Sequence, residues 1–410
     1  MKVCMVTSSY PRHAGDGVGS FVRSLAQALV ALGHTVHVVA PHDPAIEEMD
    51  QGGVCVHRFR YAPSDALCLV GHGRSLRADV HLRPIVPLLM PAFILAATVC
   101  TLTLHGRERF DLVHGHWAVP GGAIAGLVAR LASLPLVISL HGSDVYVAEQ
   151  NRLYASVARC GFRRATHVIA CSEDLRARAV KIGLEGEKSS VIPYGVDVGH
   201  YATGRGSRMR ARLGVPTDAL VIGALGRLVN KKGFHYLLAA MPAVLDSIPD
   251  AYCVIGGGGD LCDDLIAQAR RLGVSNRVFL PGHVDWRDTP DYYAMCDVVV
   301  VPSVVDADGN VDGLPNVLLE AMASGRAVVA SDVGGISSVV DDGITALLVP
   351  PGDPDALRST LLCLLGDPSF RRKLGAMARD RVIRGYQWSV VADRTASLYE
   401  CAVKRSSRHR

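Results

Sequence analysis

The sequence predicts an α/β protein made of two tandem doubly wound domains. Its 410 residues are about twice the length of an ordinary domain. Short β-branched runs alternate with longer amphipathic stretches, the pattern of strands joined by crossover helices into a parallel sheet. A polar stretch at 203–208 separates two such series.

The first series opens with a strand at 3–7 and a glycine-rich turn through Gly15, Gly17 and Gly19. A helix follows in which Phe21, Val22, Leu25, Ala28, Leu29 and Leu32 recur at helical spacing until Gly33 stops it. Further strands are predicted at 35–40, 54–58, 112–114, 136–140, 167–170 and 190–193. The second series has strands at 220–224, 251–255, 277–280, 298–301, 327–330 and 346–349, and an amphipathic stretch at 389–403 ends it. Two doubly wound domains place their ligands at the carboxyl ends of the strands, here in a cleft where the domains face each other.

Composition narrows the function. A formal net charge of +4 is too small an excess for a chain of this length to imply nucleic acid. The basic tail at 404–410 reads as a solvated terminus, with anionic headgroups as its other potential contact. Eleven cysteines without a C-x-x-C pair give neither a disulfide framework nor zinc-ligand spacing, which points to a reducing, cytoplasmic setting. The apolar run at 3–6 is too short for a signal-peptide core. From Pro84 to Leu104 no residue is charged, long enough to span a bilayer. Pro84, Pro87 and Pro91 interrupt its first half, and the reading is a buried or interfacial helix with contact at the inner membrane surface.

The densest local signal is Asp312-Gly-Leu-Pro-Asn-Val-Leu-Leu-Glu320. Pro315 is expected at the first helical position, leaving the backbone N–H groups of Asn316, Val317 and Leu318 as an anion site for a diphosphate. Glu320 then offers a carboxylate to ribose hydroxyls and Asp312 one to donor-sugar hydroxyls. Gly226-Arg227 with Lys231-Lys232-Gly233, at a strand's end, supplies cations for a pyrophosphate and for charge on a departing nucleotide. His141, in His-Gly-Ser-Asp144 after the strand at 136–140, is expected to point into the cleft. The Gly15-Gly17-Gly19 turn matches neither a dinucleotide fingerprint nor a P-loop, but allows close backbone approach to a phosphate. The run Gly256 to Gly259 reads as a tight turn.

Three decoys are set aside. Asp306-Ala-Asp308 is a D-x-D, yet arginine and lysine already supply the positive charge that a metal would bring. The same stretch fails as a calcium loop, with Val311 at the sixth position and Val317 at the twelfth. His114 and His116 lack a third ligand nearby in sequence.

Taken in order, these pieces resemble glycosyltransferase family 4, retaining enzymes of the GT-B fold. The resemblance runs over nearly the whole chain: Y-P-R…G-x-G-x-F, G-H-x-V-x-V-V-A-P, H-G-S-D, V-I-P-Y-G-V-D, G-R-L-V-x-K-K-G and D-G-L-P-N-V-L-L-E-A-M-A-S-G. It implies two Rossmann-like domains, an acceptor domain at 1–200 and a nucleotide-sugar domain at 201–385. The segment 386–410 would cross back to the first domain. It further implies that Arg227 and Lys232 bind the diphosphate, Glu320 the ribose, and the amides of Asn316, Val317 and Leu318 the phosphates. Gly17 would let its loop close on them, His141 would lie beside the transferred sugar, and the backbone near Val284 would read the base. Asp312 stands where the family commonly has glutamate, one methylene longer. No resident cofactor or metal is implied. The partners are a UDP- or GDP-linked hexose donor and a glycan or lipid-linked hydroxyl acceptor. A glycosyltransferase acting on a small soluble acceptor, a sugar-nucleotide epimerase and a non-catalytic sugar-nucleotide binder are the rival readings. A dehydrogenase lacks its fingerprint here, and a phosphorylase its cofactor lysine site.

Overall fold

Strands of a parallel sheet are buried on both faces, so their sequences are nearly continuous apolar runs. Val298–Val301 is the extreme case, four valines in a row, all buried. The computed structural model describes residues 1–72 and 85–407, so Pro84 and residues 408–410 of the basic tail lie outside the described residues. The chain forms two compact units, Met1–Gly195 with Trp388–Arg410, and Val196–Gln387.

The first unit holds seven parallel strands: β1 (Lys2–Val6), β2 (Thr35–Pro41), β3 (Cys55–Phe59), β4 (Leu112–His116), β5 (Leu136–Leu140), β6 (His167–Ala170) and β7 (Ser189–Val191). They lie in the order β3-β2-β1-β4-β5-β6-β7. Helices α1 (Ser20–Ala31), α2 (Val86–Glu108), α3 (Ala123–Ala132), α4 (Ser143–Gln150), α5 (Arg152–Arg164) and α6 (Glu173–Lys181) connect them. The C-terminal helix, Trp388–Ser407, packs on α1. Its Val391, Ala392, Tyr399 and Ala402 enter the same core as Val3, Met5, Leu25 and Leu29. The crossing back of the chain's end is therefore secured by a shared apolar core.

The second unit holds β8 (Leu220–Leu225), β9 (Ala251–Gly256), β10 (Val278–Phe279), β11 (Val298–Val301), β12 (Ala327–Ser331) and β13 (Leu347–Val349), in the order β10-β9-β8-β11-β12-β13. Its helices are α7 (Val198–Tyr201), α8 (Gly206–Leu213), α9 (Phe234–Ser247), α10 (Cys262–Arg271), α11 (Thr289–Met295), α12 (Asn316–Ala323), α13 (Pro354–Gly366) and α14 (Pro368–Gly385); the C-terminal helix is α15. The unit boundaries differ slightly from those read in the sequence. Residues 196–200 and 386–387 belong to the second unit, because Val196 N–H donates to the Tyr386 carbonyl (2.8 Å) and α7 packs on α11 and α12.

Both sheets are parallel throughout, and each has one place where chain direction across the sheet reverses, between β1 and β4 and between β8 and β11. Loops leaving the carboxyl ends of such a strand pair diverge to opposite faces and open a crevice there. All eleven cysteines are free thiols.

Candidate active site

In the second unit the reversal point collects the residues that chemistry had singled out. Gly226, Arg227 and Lys232 follow β8, and Asp312 and Asn316 follow β11. The two loops are stitched together, since Val304 N–H donates to the Lys231 carbonyl (2.9 Å). Gly233 (φ 66°) closes the first loop directly on the second, where a Cβ would sit 1.9 Å from the Pro302 carbonyl oxygen. Both the left-handed backbone and the contact demand glycine.

This closure brings the Lys232 ammonium to 2.8 Å from the Asp312 carboxylate, with both side chains mostly buried. Ser303 Oγ donates to the same carboxylate oxygen at 3.0 Å. Burial pushes the Asp312 carboxyl up, but the Lys232 and Lys231 ammonium groups and the Lys232 and Ser303 hydrogen bonds outweigh it. Its pKa falls below the ordinary carboxylate value. The sequence had given Asp312 to the sugar and Lys232 to the phosphates; the structure makes them one ion pair. Arg227, on the same loop after β8, is exposed.

Pro315 is not the first helical residue. It has extended backbone (ψ 121°) and caps α12, which begins at Asn316. Leu318 N–H already donates to the Pro315 carbonyl (3.1 Å), so the amides left at this helix start are those of Asn316 and Val317. The Asn316 side-chain oxygen is buried without a partner among the described residues. One turn on, Glu320 accepts a hydrogen bond from Tyr293 Oη at 2.8 Å, and the Tyr201 phenol nearby also favours its charged form. Burial raises the Glu320 carboxyl above its ordinary value, and the phenols only partly offset this. A carboxylate has acceptor directions beyond the one Tyr293 takes, which hydroxyls of a ligand can use. Val284 lies over the end of β9, against Gly256. The Gly256 to Gly259 run is held by the loop after β8, with Gly226 N–H donating to the Gly256 carbonyl (3.0 Å) and Leu228 N–H to Gly258 (2.9 Å). The run thus continues the pairing of β8 with β9 and turns only at its end, where Cys262 N–H donates to the Gly259 carbonyl (3.2 Å), later than the tight turn expected across all four glycines.

In the first unit the loop ends are organised around Asp144, whose role the sequence had left open. Its carboxylate is 1% exposed and accepts N–H bonds from Ala118 (2.6 Å), His141 (3.2 Å) and Gly142 (2.9 Å). Burial raises this carboxyl, and these N–H groups together with its own backbone N–H pull it back only in part. It ties the turn after β4 to the turn after β5. His141, expected to point into the cleft, has both ring nitrogens engaged. Its Nε2 meets His116 Nδ1 at 3.1 Å and its Nδ1 meets Tyr194 Oη at 2.9 Å. Phe21, Trp117 and Tyr194 surround the ring at centroid distances of 4.7, 4.7 and 5.7 Å. Burial pushes His116 down to about 3 and His141 well below its ordinary value, so both rings are neutral. A sugar hydroxyl reaches His141 only by replacing one of these partners.

Among the described residues nothing lies within 4 Å of where a Gly17 Cβ would be, so none of them requires glycine there. The constrained glycine is Gly19 (φ 72°), at 2.4 Å from the Ser9 carbonyl oxygen.

The potential metal ligands have other work. His114 bonds Tyr399 Oη (2.6 Å) and Ser139 Oγ (2.8 Å). Asp306 accepts from the backbone N–H of Asp308 (3.0 Å) and Asn310 (2.8 Å), so this carboxylate shapes its own loop. Among the described residues His42, Asp65 and Cys68 come together with ligand-like spacing. The Arg60 guanidinium contacts both His42 (3.0 Å) and Asp65, and its charge already occupies the place of a cation.

Comparison with known proteins agrees with this architecture. Residues 15–200 match Glycosyltransferase Family 4, and residues 207–381 match Glycosyl transferases group 1. The D-inositol 3-phosphate glycosyltransferase of Kineococcus radiotolerans is 32% identical over 73% of this chain and 73% of its own. A GDP-mannose-dependent alpha-(1-6)-phosphatidylinositol monomannoside mannosyltransferase of Mycolicibacterium smegmatis is 29% identical over 96% of this chain and 97% of its own. The solved structure of Anabaena HepE in complex with UDP shares the fold, with a TM-score of 0.78 at 22% identity over 98% of this chain and all of HepE. Two Rossmann-like units, matched along nearly the full chain, establish that this protein is a glycosyltransferase of family 4 with the GT-B fold.

Proposed function

We propose that this chain is a retaining, metal-independent hexosyltransferase. It transfers a sugar from a UDP- or GDP-linked donor to a hydroxyl of a glycan or lipid-linked acceptor, at the cytoplasmic membrane face. The donor is held in the second unit and the acceptor in the first. The Lys232–Asp312 pair at the β8/β11 reversal point carries this reading. It fixes an ammonium from the loop of Arg227 against the segment that leads into α12, and these elements carry the charges and amides that a nucleoside diphosphate leaving group needs.

In the reaction the bond from the sugar's anomeric carbon to the phosphate oxygen breaks, and its electron pair stays on the phosphate. The acceptor oxygen bonds to the same face of that carbon, and its proton passes to the departing phosphate. Lys232 and Arg227 hold the accumulating negative charge, and the Asn316 and Val317 amides complete the phosphate shell. Glu320, oriented by Tyr293 and Tyr201, takes the ribose hydroxyls. Asp312, shorter than glutamate, keeps Lys232 extended until the phosphates arrive. HepE with UDP and the GDP-mannose-dependent relative support a nucleotide-sugar donor and leave both bases open.

A calorimetric panel of UDP, GDP and ADP tests the donor half. One uridine or guanosine diphosphate binds at about micromolar Kd, unchanged by EDTA, and weakens about 100-fold in Arg227→Ala/Lys232→Ala. Binding that needs a divalent ion, or none at all, contradicts it. Binding without consumption of any donor sugar places the chain with the non-catalytic binders.

A further inference from the structure

Helix α2 carries its apolar residues on the wrong side for a surface helix. A helix packed on a sheet normally buries one stripe and turns charge outward. Here the inner stripe is committed, with Phe93, Ala97 and Thr101 fully buried against the β1–β3 side of the sheet and Phe59 and Tyr61 edge-on to Phe93. Yet the outer stripe is also apolar. Leu88, Leu95 and Val99 are 80, 65 and 52% exposed, and α3, packed alongside, adds Leu131 at 60%. The helix has the length and hydropathy of a membrane span, but its inner face is already bonded to a folded sheet. It does not cross a bilayer in this fold.

The charges around the stripe indicate what covers it. Helices α2, α3 and α5 lie side by side, α2 on α3 and α3 on α5. Between them they carry six arginines, at 107, 130, 152, 159, 163 and 164, and a single acidic residue, Glu108. Glu108 is held by Lys2 at 3.2 Å. We propose that the outer face of α2, α3 and α5 docks on an anionic lipid bilayer. The leucines enter the boundary between headgroups and acyl chains, and the arginines reach lipid phosphates from its rim. A second copy of this chain fits poorly, because its matching face would set arginines against arginines. The surface lies wholly in the first unit; the proposal deepens the membrane-face part of the function proposed above and does not depend on its donor half.

Co-sedimentation of the full chain with vesicles tests it. The vesicles are phosphatidylcholine alone, or phosphatidylcholine with about 30% phosphatidylglycerol. The chain binds the anionic vesicles, and binding falls tenfold or more on neutral vesicles or in about 0.5 M salt. Each arginine near such a surface is worth about fivefold, so Arg130→Glu/Arg163→Glu binds about 25-fold more weakly. Leu95→Glu/Val99→Glu, at exposed positions, loses at least tenfold while its circular dichroism and Tm match the parent. Failure of the parent chain to bind anionic vesicles overturns the proposal, as does parent-like binding by both variants. A dimer that Leu95→Glu/Val99→Glu splits into monomers, with no vesicle binding by the parent, assigns the face to a second copy and also overturns it.

Discussion

Replacing Lys232 by alanine lowers sugar transfer by about 100- to 1,000-fold, the usual cost of losing a group that stabilises charge developing in a transition state. It also destabilises the fold, because the mostly buried Asp312 carboxylate loses its partner at 2.8 Å. Breaking a buried pair costs about 3 kcal/mol when other groups still serve the survivor. Here Ser303 and Lys231 do so. The pH dependence follows from the shift in Asp312. With Lys232 present its folded pKa is depressed, so the pair's stability is full above the unfolded carboxyl value and is lost as pH falls through the folded one. Without Lys232 burial gains on the remaining partners and the folded pKa rises. The variant's deficit in urea unfolding therefore shrinks as pH drops from about 7 to about 4. Lys232→Ala/Asp312→Asn recovers most of the stability and none of the transfer. Recovery of transfer in that double variant would mean that Lys232 serves only as a counter-ion to Asp312.

Asp144→Ala is the most damaging change expected in the first unit. It strands the buried N–H groups of Ala118, His141 and Gly142 at once. At about 1–3 kcal/mol for each unsatisfied donor, and with some water entering, the loss is about 4 kcal/mol. Asp144→Asn costs about half as much, since its amide oxygen keeps some of these bonds while its NH2 opposes the rest. Both variants loosen the turn bearing His141, so transfer falls at least tenfold while nucleotide affinity, set by groups of the second unit, stays within about twofold of the parent. Thermal unfolding and calorimetry read the two effects separately. An Asp144→Ala chain as stable as the parent would contradict the assigned role.

The fold was legible because its strands are apolar β-branched runs, and such runs have few other places to go in a chain of this kind. Val298–Val301 and Leu136–Leu140 announce themselves by composition alone. The site's residue types were legible too, since Arg227, Lys232, Glu320 and the Pro315 helix start each carry a local signal. Their partners were not. Lys232 meets Asp312 only because β8 lies next to β11, a neighbour relation that the 79 residues between Lys232 and Asp312 hide. Tyr293 and Tyr201 reach Glu320 from helices with no motif of their own. Asp144 had a signal, an acidic residue three positions after His141 at a helix start, but its reach to Ala118 depends on the pairing of β4 with β5. Helix α2 was legible as an apolar segment, whereas the stripe it buries and the stripe it exposes emerge only once the sheet is in place.

The most direct measurement is amide hydrogen exchange on the full chain with and without a saturating UDP or GDP, whichever binds. Slowed exchange at Asn316, Val317 and the loop 226–232, with the sheet of the first unit unchanged, is the expected result. Slowing confined to the first unit, or none at all with the nucleotide bound, would contradict a donor site at the β8/β11 reversal point.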